Sequence, residues 1–274
     1  MPREINIGHI AVGGSNPPLV ILGPCVIEEE GQTFDIARNL KAMAAELEIN
    51  FIFKASYDKA NRTSIQSYRG PGLKEGLRIL SHIKEELKIP VTSDVHSPKE
   101  AEIAAEVLDL IQIPAFLCRQ TDLLIADATT ARPINVKKGQ FMAPLDMRYI
   151  VEKVAFSGND RILLTERGTF FGYNRLVVDM VSLPLMRELG YPVIFDGTHS
   201  VQVPGQGLGY TSGLREYVPH LVKAAIAAGV DGIFLEVHPF PETARCDGDN
   251  SLPLKDLRPL LQTLIEINRV AHEI

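Results

Sequence analysis

Eight short apolar runs recur along the chain, and most are followed by a segment whose apolar residues fall at helical spacing. The runs are 19–25 (LVILGPC), 51–57 (FIFKASY), 90–95 (PVTSDV), 110–115 (LIQIPA), 133–139 (PINVKKG), 162–168 (ILLTERG), 192–199 (PVIFDGTH) and 232–239 (GIFLEVHP). Each is rich in Val, Ile, Leu or Phe and too short for a helix, so each reads as a buried strand. Helical spacing marks 73–87, 98–108, 176–189, 214–228 and 254–271. Eight strand-then-helix units predict a (β/α)8, or TIM, barrel. The length of 274 residues is close to the roughly 250 typical of one such barrel. A single domain over 1–274 is therefore expected, with 1–18 as an N-terminal extension. Within it, 5–12, followed by Gly13, Gly14 and Asn16-Pro17-Pro18, predicts a hairpin closing the barrel floor.

Chemistry on such a barrel collects at the carboxyl ends of the strands, where loops from distant segments converge. The polar residues at those ends are Cys25, Lys54 with Ser56, Asp94, Gln112, Asn135 with Lys137, Arg167, His199 and Glu236. Solvent-facing ends favour no particular chemistry, whereas this set combines cations with soft and hard metal ligands. The formal net charge is −6, which gives no electrostatic reason to bind nucleic acid or an anionic membrane. Against that background Lys54, Lys59, Arg62, Arg119, Lys137, Lys138 and Arg167 fall at or just after strand ends, and a concave basic site in an acidic protein selects small anions. Lys54 and Lys137 sit within apolar runs and need an anion to offset desolvation. Strand alternation places Asn135 and Lys137 on one face, so Lys138 points toward the surrounding helices or to solvent. Asp94 and His96 are an acid/base pair or a helix-capping group.

Cys25, His199, Glu236 and Asp247 form a second constellation. Thiolate, imidazole and carboxylates suit zinc, iron(II), manganese or cobalt rather than magnesium or calcium. The bland alternative makes Cys25 a small buried hydrophobe; Cys246 is read as a free thiol outside the set. Three cysteines with no CxxC pair argue against a disulfide framework and are expected to be reduced. Residues 1–18 lack a signal peptide's apolar core and no stretch is long enough to span a bilayer, so a cytoplasmic location is expected. The glycine-rich loop after the seventh run, with Gly205, Gly207, Gly209 and Gly213, reads as a lid.

Several segments taken together resemble the 3-deoxy-D-manno-octulosonate 8-phosphate synthases. They are Lys59-Ala60-Asn61-Arg62-Thr63-Ser64, Ser67-Tyr68-Arg69-Gly70-Pro71-Gly72, the stretch from Ile113-Pro114-Ala115-Phe116 to Arg119-Gln120-Thr121-Asp122, Asn135-Val136-Lys137-Lys138-Gly139-Gln140-Phe141, Thr165-Glu166-Arg167-Gly168-Thr169 and Asp196-Gly197-Thr198-His199-Ser200-Val201-Gln202. The resemblance covers nearly the whole chain. It implies a homotetrameric TIM barrel that condenses phosphoenolpyruvate with arabinose 5-phosphate and water, releases inorganic phosphate and feeds lipopolysaccharide synthesis. It further implies that Lys54, Ser56, Lys59, Ala115, Lys137 and Arg167 hold phosphoenolpyruvate. Asn61, Arg62, Thr63 and Arg119 resemble the pentose-phosphate contacts, some contributed across a subunit boundary. Gln112, Pro114 and Phe116 complete the expected substrate-binding set, and Lys137, Arg167, Asp94 and His199 the expected catalytic one. Gly23-Pro24-Cys25 resembles the metal-dependent branch, which implies a divalent metal on Cys25, His199, Glu236 and Asp247. Cys246-Asp247-Gly248 looks more like the branch that has Asn in place of Cys25 and no metal. Two other readings stand beside this one: a 3-deoxyheptulosonate 7-phosphate synthase using erythrose 4-phosphate, which typically has Lys-Pro-Arg-Thr where this chain has Lys59-Ala60-Asn61-Arg62, and a non-catalytic phosphosugar-binding barrel.

Overall fold

A computed structural model of the chain describes residues 1–205 and 212–271. Two short strands come first, β1 (Ile5–Ile7) and β2 (Ile10–Val12), paired antiparallel. Then follow β3 (Leu19–Gly23), β4 (Phe51–Lys54), β5 (Val91–Asp94), β6 (Leu110–Ile113), β7 (Ile134–Lys137), β8 (Ile162–Glu166) and β9 (Val193–Asp196). After the small antiparallel pair β10 (Gln202–Val203) and β11 (Ser212–Gly213) comes β12 (Gly232–His238), extended on one side by β13 (Leu252–Pro253). Strands β3 to β9 pair in sequence order, all parallel, and β12 pairs with both β9 and β3. That double pairing closes an eight-stranded barrel, the (β/α)8 architecture predicted from the runs.

Helices α1 (Glu30–Glu46), α2 (Leu73–Leu87), α3 (Pro98–Val107), α4 (Thr121–Thr129), α5 (Met147–Phe156), α6 (Ser182–Arg187), α7 (Val218–Ala227) and α8 (Leu254–Ala271) lie between and after the strands. Every barrel strand is buried along its length. A parallel sheet with helices on its outer face has no solvated side, which is why the runs are continuously apolar rather than alternating. Helix α2 shows the complementary pattern, burying Leu77, Leu80, Ile83 and Leu87 on one stripe. No helix among the described residues is long and apolar enough to cross a membrane.

The helix expected over 176–189 is much shorter. Only Ser182–Arg187 is helical. The amide of Leu176 donates to the Gln202 carbonyl, and Val177 exchanges both backbone hydrogen bonds with Thr169, so the first half of the segment runs as an extended crosspiece. Pro184 lacks an amide and is tolerated only in a helix's first turn, which limits the helix to the second half.

The hairpin of β1 and β2 buries Ile5, Ile7, Ile10 and Val12 in the main core. The amide of Arg3 donates to Gly190 O, and Gly13 packs against Pro192 just before β9, so the hairpin covers the amino end of the barrel as predicted. Two acids also brace that end. Asp231 Oδ2 accepts from the amide of Val193 (2.8 Å) and from Arg187 Nε (3.0 Å). Asp109 accepts from the amide of Val91 (3.0 Å) and from Lys84 Nζ (2.8 Å). The expected lid falls between β10 and β11, and 206–211 of it lie outside the described residues.

Candidate active site

The strands stop short of the ends of the apolar runs, leaving Cys25, Ser56, Arg167 and His199 in the loops that follow. These loops surround a cavity of about 360 Å³ at the carboxyl end of the barrel. Its wall includes Lys59, Asn61, Arg62, Thr63, Asp94, Pro114, Ala115, Phe116, Lys137, Arg167, His199, Glu236 and Asp247, all singled out in the sequence. His96, Gln140, Gln202 and Pro204 also line it.

Four expected substrate contacts do not reach this wall. Lys54 is buried beneath it, donating to Glu236 Oε1 (2.6 Å) and to Cys25 O (2.8 Å). The anion that offsets its desolvation is thus a protein carboxylate. Ser56 and Gln112 lie below the cavity and donate to the two oxygens of Asp94, each at 2.7 Å. Thr165 donates to Asn135 Oδ1 (2.6 Å), and Asn135 Nδ2 donates to Gln112 Oε1 (3.1 Å). A one-way chain of donors therefore runs across β8, β7, β6 and β5 and ends on Asp94, fixing that carboxylate in orientation. Arg119 is exposed on the outside of a single copy, where its carbonyl accepts from Lys153. The 3-10 turn Ala115–Leu117 carries the chain outward before it.

Adjacent lysines separate as alternation requires. Lys137 Nζ donates to Asp196 Oδ2 (2.7 Å) and stands 3.6 Å above the Phe234 ring. Lys138 leaves the barrel but does not reach solvent, which corrects the expectation that it could. Its ammonium is fully buried, donating to Met142 O and Thr169 Oγ1 (3.1 Å each), with Glu166 Oε1 at 3.5 Å. A fully buried ammonium needs such partners. Glu166 in turn accepts the amides of Arg167 and Gly168, setting the direction of the Arg167 side chain, whose Nη2 donates to Gln202 Oε1 (2.5 Å).

Burial works against every charge here, and the neighbours decide the outcome. Asp94 is pushed up by desolvation, but Lys59, Lys54 and Lys137 hold it well below the usual carboxylate range. Burial likewise opposes ionisation of Glu236 and Asp196; Lys54 and His199 outweigh it for the first, His199 and Lys137 for the second. Burial pulls Lys137 and Arg167 down from their ordinary values, with Asp196 opposing in both cases. The result is a polar cavity walled by fixed charges of both signs.

The four expected metal donors meet, but as two triads sharing one residue. Cys25, Cys246 and Asp247 form one; His199, Glu236 and Asp247 form the other. His199 Nε2 lies 3.7 Å from Glu236 Oε1 and 3.9 Å from Asp247 Oδ2. Its Nδ1 lies 2.8 Å from Asp196 Oδ2. An ionised carboxylate only accepts, so Nδ1 carries a proton toward Asp196 and Nε2 is the nitrogen that faces the cluster. Cys246 is not a bystander. It is a free thiol, as expected, but its Sγ lies 2.8 Å from Cys25 Sγ and accepts from Arg62 Nη1 at 2.8 Å, which places it beside the expected set. Nothing in the sequence brings the loop after β12 back onto β3; the barrel closure does. Glu236 Oε2 is buried without a hydrogen-bond partner. An orphaned oxygen on a carboxylate that clusters with His199 and Asp247 fits a borderline divalent cation.

Gly23, at the end of β3, shapes this corner. A Cβ there would stand 1.8 Å from the carbonyl oxygen of Lys54, so only glycine lets β3 and β4 approach so closely.

Comparison with known proteins agrees with this geometry. A family model described as the DAHP synthetase I family matches residues 3–273. The 2-dehydro-3-deoxyphosphooctonate aldolase of Pelobacter propionicus is 61% identical over 271 residues, covering 98% of this chain and 99% of the relative. That of Geobacter metallireducens is 58% identical over 270 residues, covering 98% and 99%. That of Citrifermentans bemidjiense is 57% identical over 273 residues, covering 100% of each. Their name is another form of the one reached from the motifs, and it sets aside the heptulosonate alternative. The chain therefore belongs to the DAHP synthetase I family and, within it, to the 2-dehydro-3-deoxyphosphooctonate aldolases.

Proposed function

We propose that this enzyme condenses phosphoenolpyruvate with arabinose 5-phosphate and water, forming 3-deoxy-D-manno-octulosonate 8-phosphate and inorganic phosphate. The observation that carries this is the arrangement of cations on one cavity. Lys137 and Arg167 are almost fully buried, whereas Arg62, with Asn61 and Thr63, stands on a more exposed part of the wall. Two anionic substrates need two such stations. Phosphoenolpyruvate bound at Lys137 and Arg167 has its phosphate neutralised where the C–O bond at C2 breaks, and preorganised donors act most strongly when buried as these two are. Its C3 attacks the aldehyde carbon while water adds at C2. Arg62 holds the aldose phosphate. His96 stands on the same wall to receive a proton, with the ionised Asp94 beside it.

Cys25, His199, Glu236 and Asp247, with Cys246 adjoining, would hold a divalent zinc, iron, manganese or cobalt ion. When bound, such an ion supplies Lewis-acid polarisation of an oxygen without a change of oxidation state. Exposed Phe116, Phe141, Phe170 and Phe171 occupy the loops after β6, β7 and β8. Apolar exposure of this kind supports a homotetramer in which neighbouring copies cover those loops and bring Arg119 toward a site. Three free thiols support a cytoplasmic setting, and the octulosonate product a role in lipopolysaccharide synthesis. Assay of the purified protein with phosphoenolpyruvate and either arabinose 5-phosphate or erythrose 4-phosphate tests the reading. Phosphate release with the pentose and little with the tetrose is expected; the reverse preference overturns it.

A further inference from the structure

His96 lines the cavity beside Asp94, yet its Nδ1 is buried and lacks a hydrogen-bond partner. The groups around that nitrogen are arranged with unusual economy. Glu100, in the first turn of α3, accepts from Ser97 Oγ on one oxygen (3.0 Å). Its other oxygen accepts from Tyr57 OH (2.7 Å) and from the amide of His96 (3.1 Å), and lies 3.5 Å from His96 Nδ1. The Tyr57 ring meets the His96 ring edge-on, with centroids 5.8 Å apart and planes at 88°. Helix capping accounts for the contacts with Ser97 and with the His96 amide; it does not explain why the second oxygen also takes the Tyr57 hydroxyl and lies beside the imidazole.

The surroundings of Glu100 favour its ionised form. Burial pushes its carboxyl up, but the nearby His96 ring and hydrogen bonds from the Tyr57 hydroxyl and the His96 amide hold it down at about 2. The other groups near this corner are Asp94 on β5 and Lys59 in the loop after β4 on the cavity side, and Asp127 on α4 behind Glu100. Asp94 has both oxygens committed to Ser56 and Gln112. An ionised carboxylate beside Nδ1 accepts only, so it favours the ring form with the proton on Nδ1.

We infer that Glu100, steadied by Tyr57, is a positioning residue that keeps His96 in the Nδ1–H tautomer, leaving Nε2 as the proton acceptor on the cavity wall. The inference rests on the proposed condensation, in which water adding to C2 must lose a proton. Nε2 takes that proton, the imidazolium forms beside the Glu100 carboxylate, and the oxygen–carbon bond forms as the oxygen–hydrogen bond breaks. Glu100 touches no substrate. Its effect falls on the proton transfer and leaves binding alone.

The test is nitrogen NMR of the histidine rings in the full-length protein, combined with steady-state kinetics. Wild type should show His96 protonated on Nδ1. Glu100→Gln, whose amide offers both a donor and an acceptor, should give a mixture of tautomers, with kcat reduced about tenfold, a part of the 10²–10⁴-fold typical of general base catalysis, and both Michaelis constants within about twofold. Tyr57→Phe keeps the carboxylate and should preserve the tautomer, with a smaller loss of kcat. Wild-type His96 protonated on Nε2 overturns the inference even if Glu100→Gln does not fold. So does a Glu100→Gln protein with an unchanged tautomer, or one with a changed tautomer and unchanged kcat. Absence of any product from arabinose 5-phosphate would instead count against the condensation, and the ring spectra would still decide the positioning role.

Discussion

The two ends of the barrel use the same kinds of side chain for different ends. At the amino end, Asp231 and Asp109 each accept one strand amide and one cation on a neighbouring helix or turn, Arg187 or Lys84. Those contacts tie strand starts together beneath a hairpin. At the carboxyl end, Asp94, Asp196 and Glu236 are nearly or wholly buried and are held by Lys54, Lys59, Lys137 and His199, the last three of which line a cavity. There the charges are held where a ligand can use them. A buried ion pair is therefore no guide to function by itself; what distinguishes the ends is whether the cation also borders open space.

Experiments can break that contrast or sharpen it. The largest effect is expected from removing divalent cations. Chelation should abolish turnover, several divalent ions should restore it, and Cys25→Asn should leave a residual activity that chelators do not touch. Full activity in metal-free wild type, confirmed by elemental analysis, would mean that the sulfur, nitrogen and oxygen donors serve packing alone. Next comes Arg167→Ala. Loss of one preorganised donor should lower turnover by about 10²–10³-fold with the thermal midpoint little changed; a folded variant with near-normal kcat would return Arg167 to the structural class. Arg62→Ala should raise the Michaelis constant for arabinose 5-phosphate by about tenfold or more, as expected for one charge-assisted hydrogen bond, with a much smaller change for phosphoenolpyruvate. Equal changes in both would make Arg62 a brace for Cys246 and Asp247.

At the other end, Asp231→Ala should reverse the pattern, costing about 1–3 kcal/mol of stability for the lost partners and leaving kcat of the folded enzyme unchanged. Denaturant titration and assay of the same sample separate the two. The smallest effect, at pH 5, concerns Asp127, which is fully buried on α4 with neither oxygen hydrogen-bonded. Burial, reinforced by Glu100, pushes its carboxyl up to about 8. A carboxyl raised on folding favours the native state at low pH, and that support is lost as pH climbs from about 4, the unfolded value, through about 8. Asp127→Asn should accordingly melt at increasing advantage over wild type as the pH rises across that window; parallel melting curves would refute it.

Much of this was legible in the residues. The strands announce themselves because burial on both faces leaves uninterrupted apolar runs, and alternation alone places Lys137 inside and Lys138 outside. The short α6 was not legible, since 176–189 carries helical spacing and only the pairing of Val177 with Thr169 diverts its first half. Nor was the fate of Lys54. A lysine at a strand end signals an anion, but its side chain cannot reveal whether that anion is a ligand or Glu236, 182 positions away in sequence. The closeness of Cys246 to Cys25 was hidden for the same reason: it spans 221 positions and exists only once β12 joins β3. Local pattern reports an element's type and facing; partners brought together by closure have to be seen.

Gly23 illustrates how far a silent position can reach. It carries no donor, no charge and no side chain, and it would be filed by any genetic screen among linker residues. Yet one added methyl would force β3 away from the Lys54 carbonyl. Cys25, two residues on, and Lys54, the clamp on Glu236, would shift together. A substitution at position 23 would thus disturb a thiol and a buried cation at once, and relief would have to come from the opposing strand.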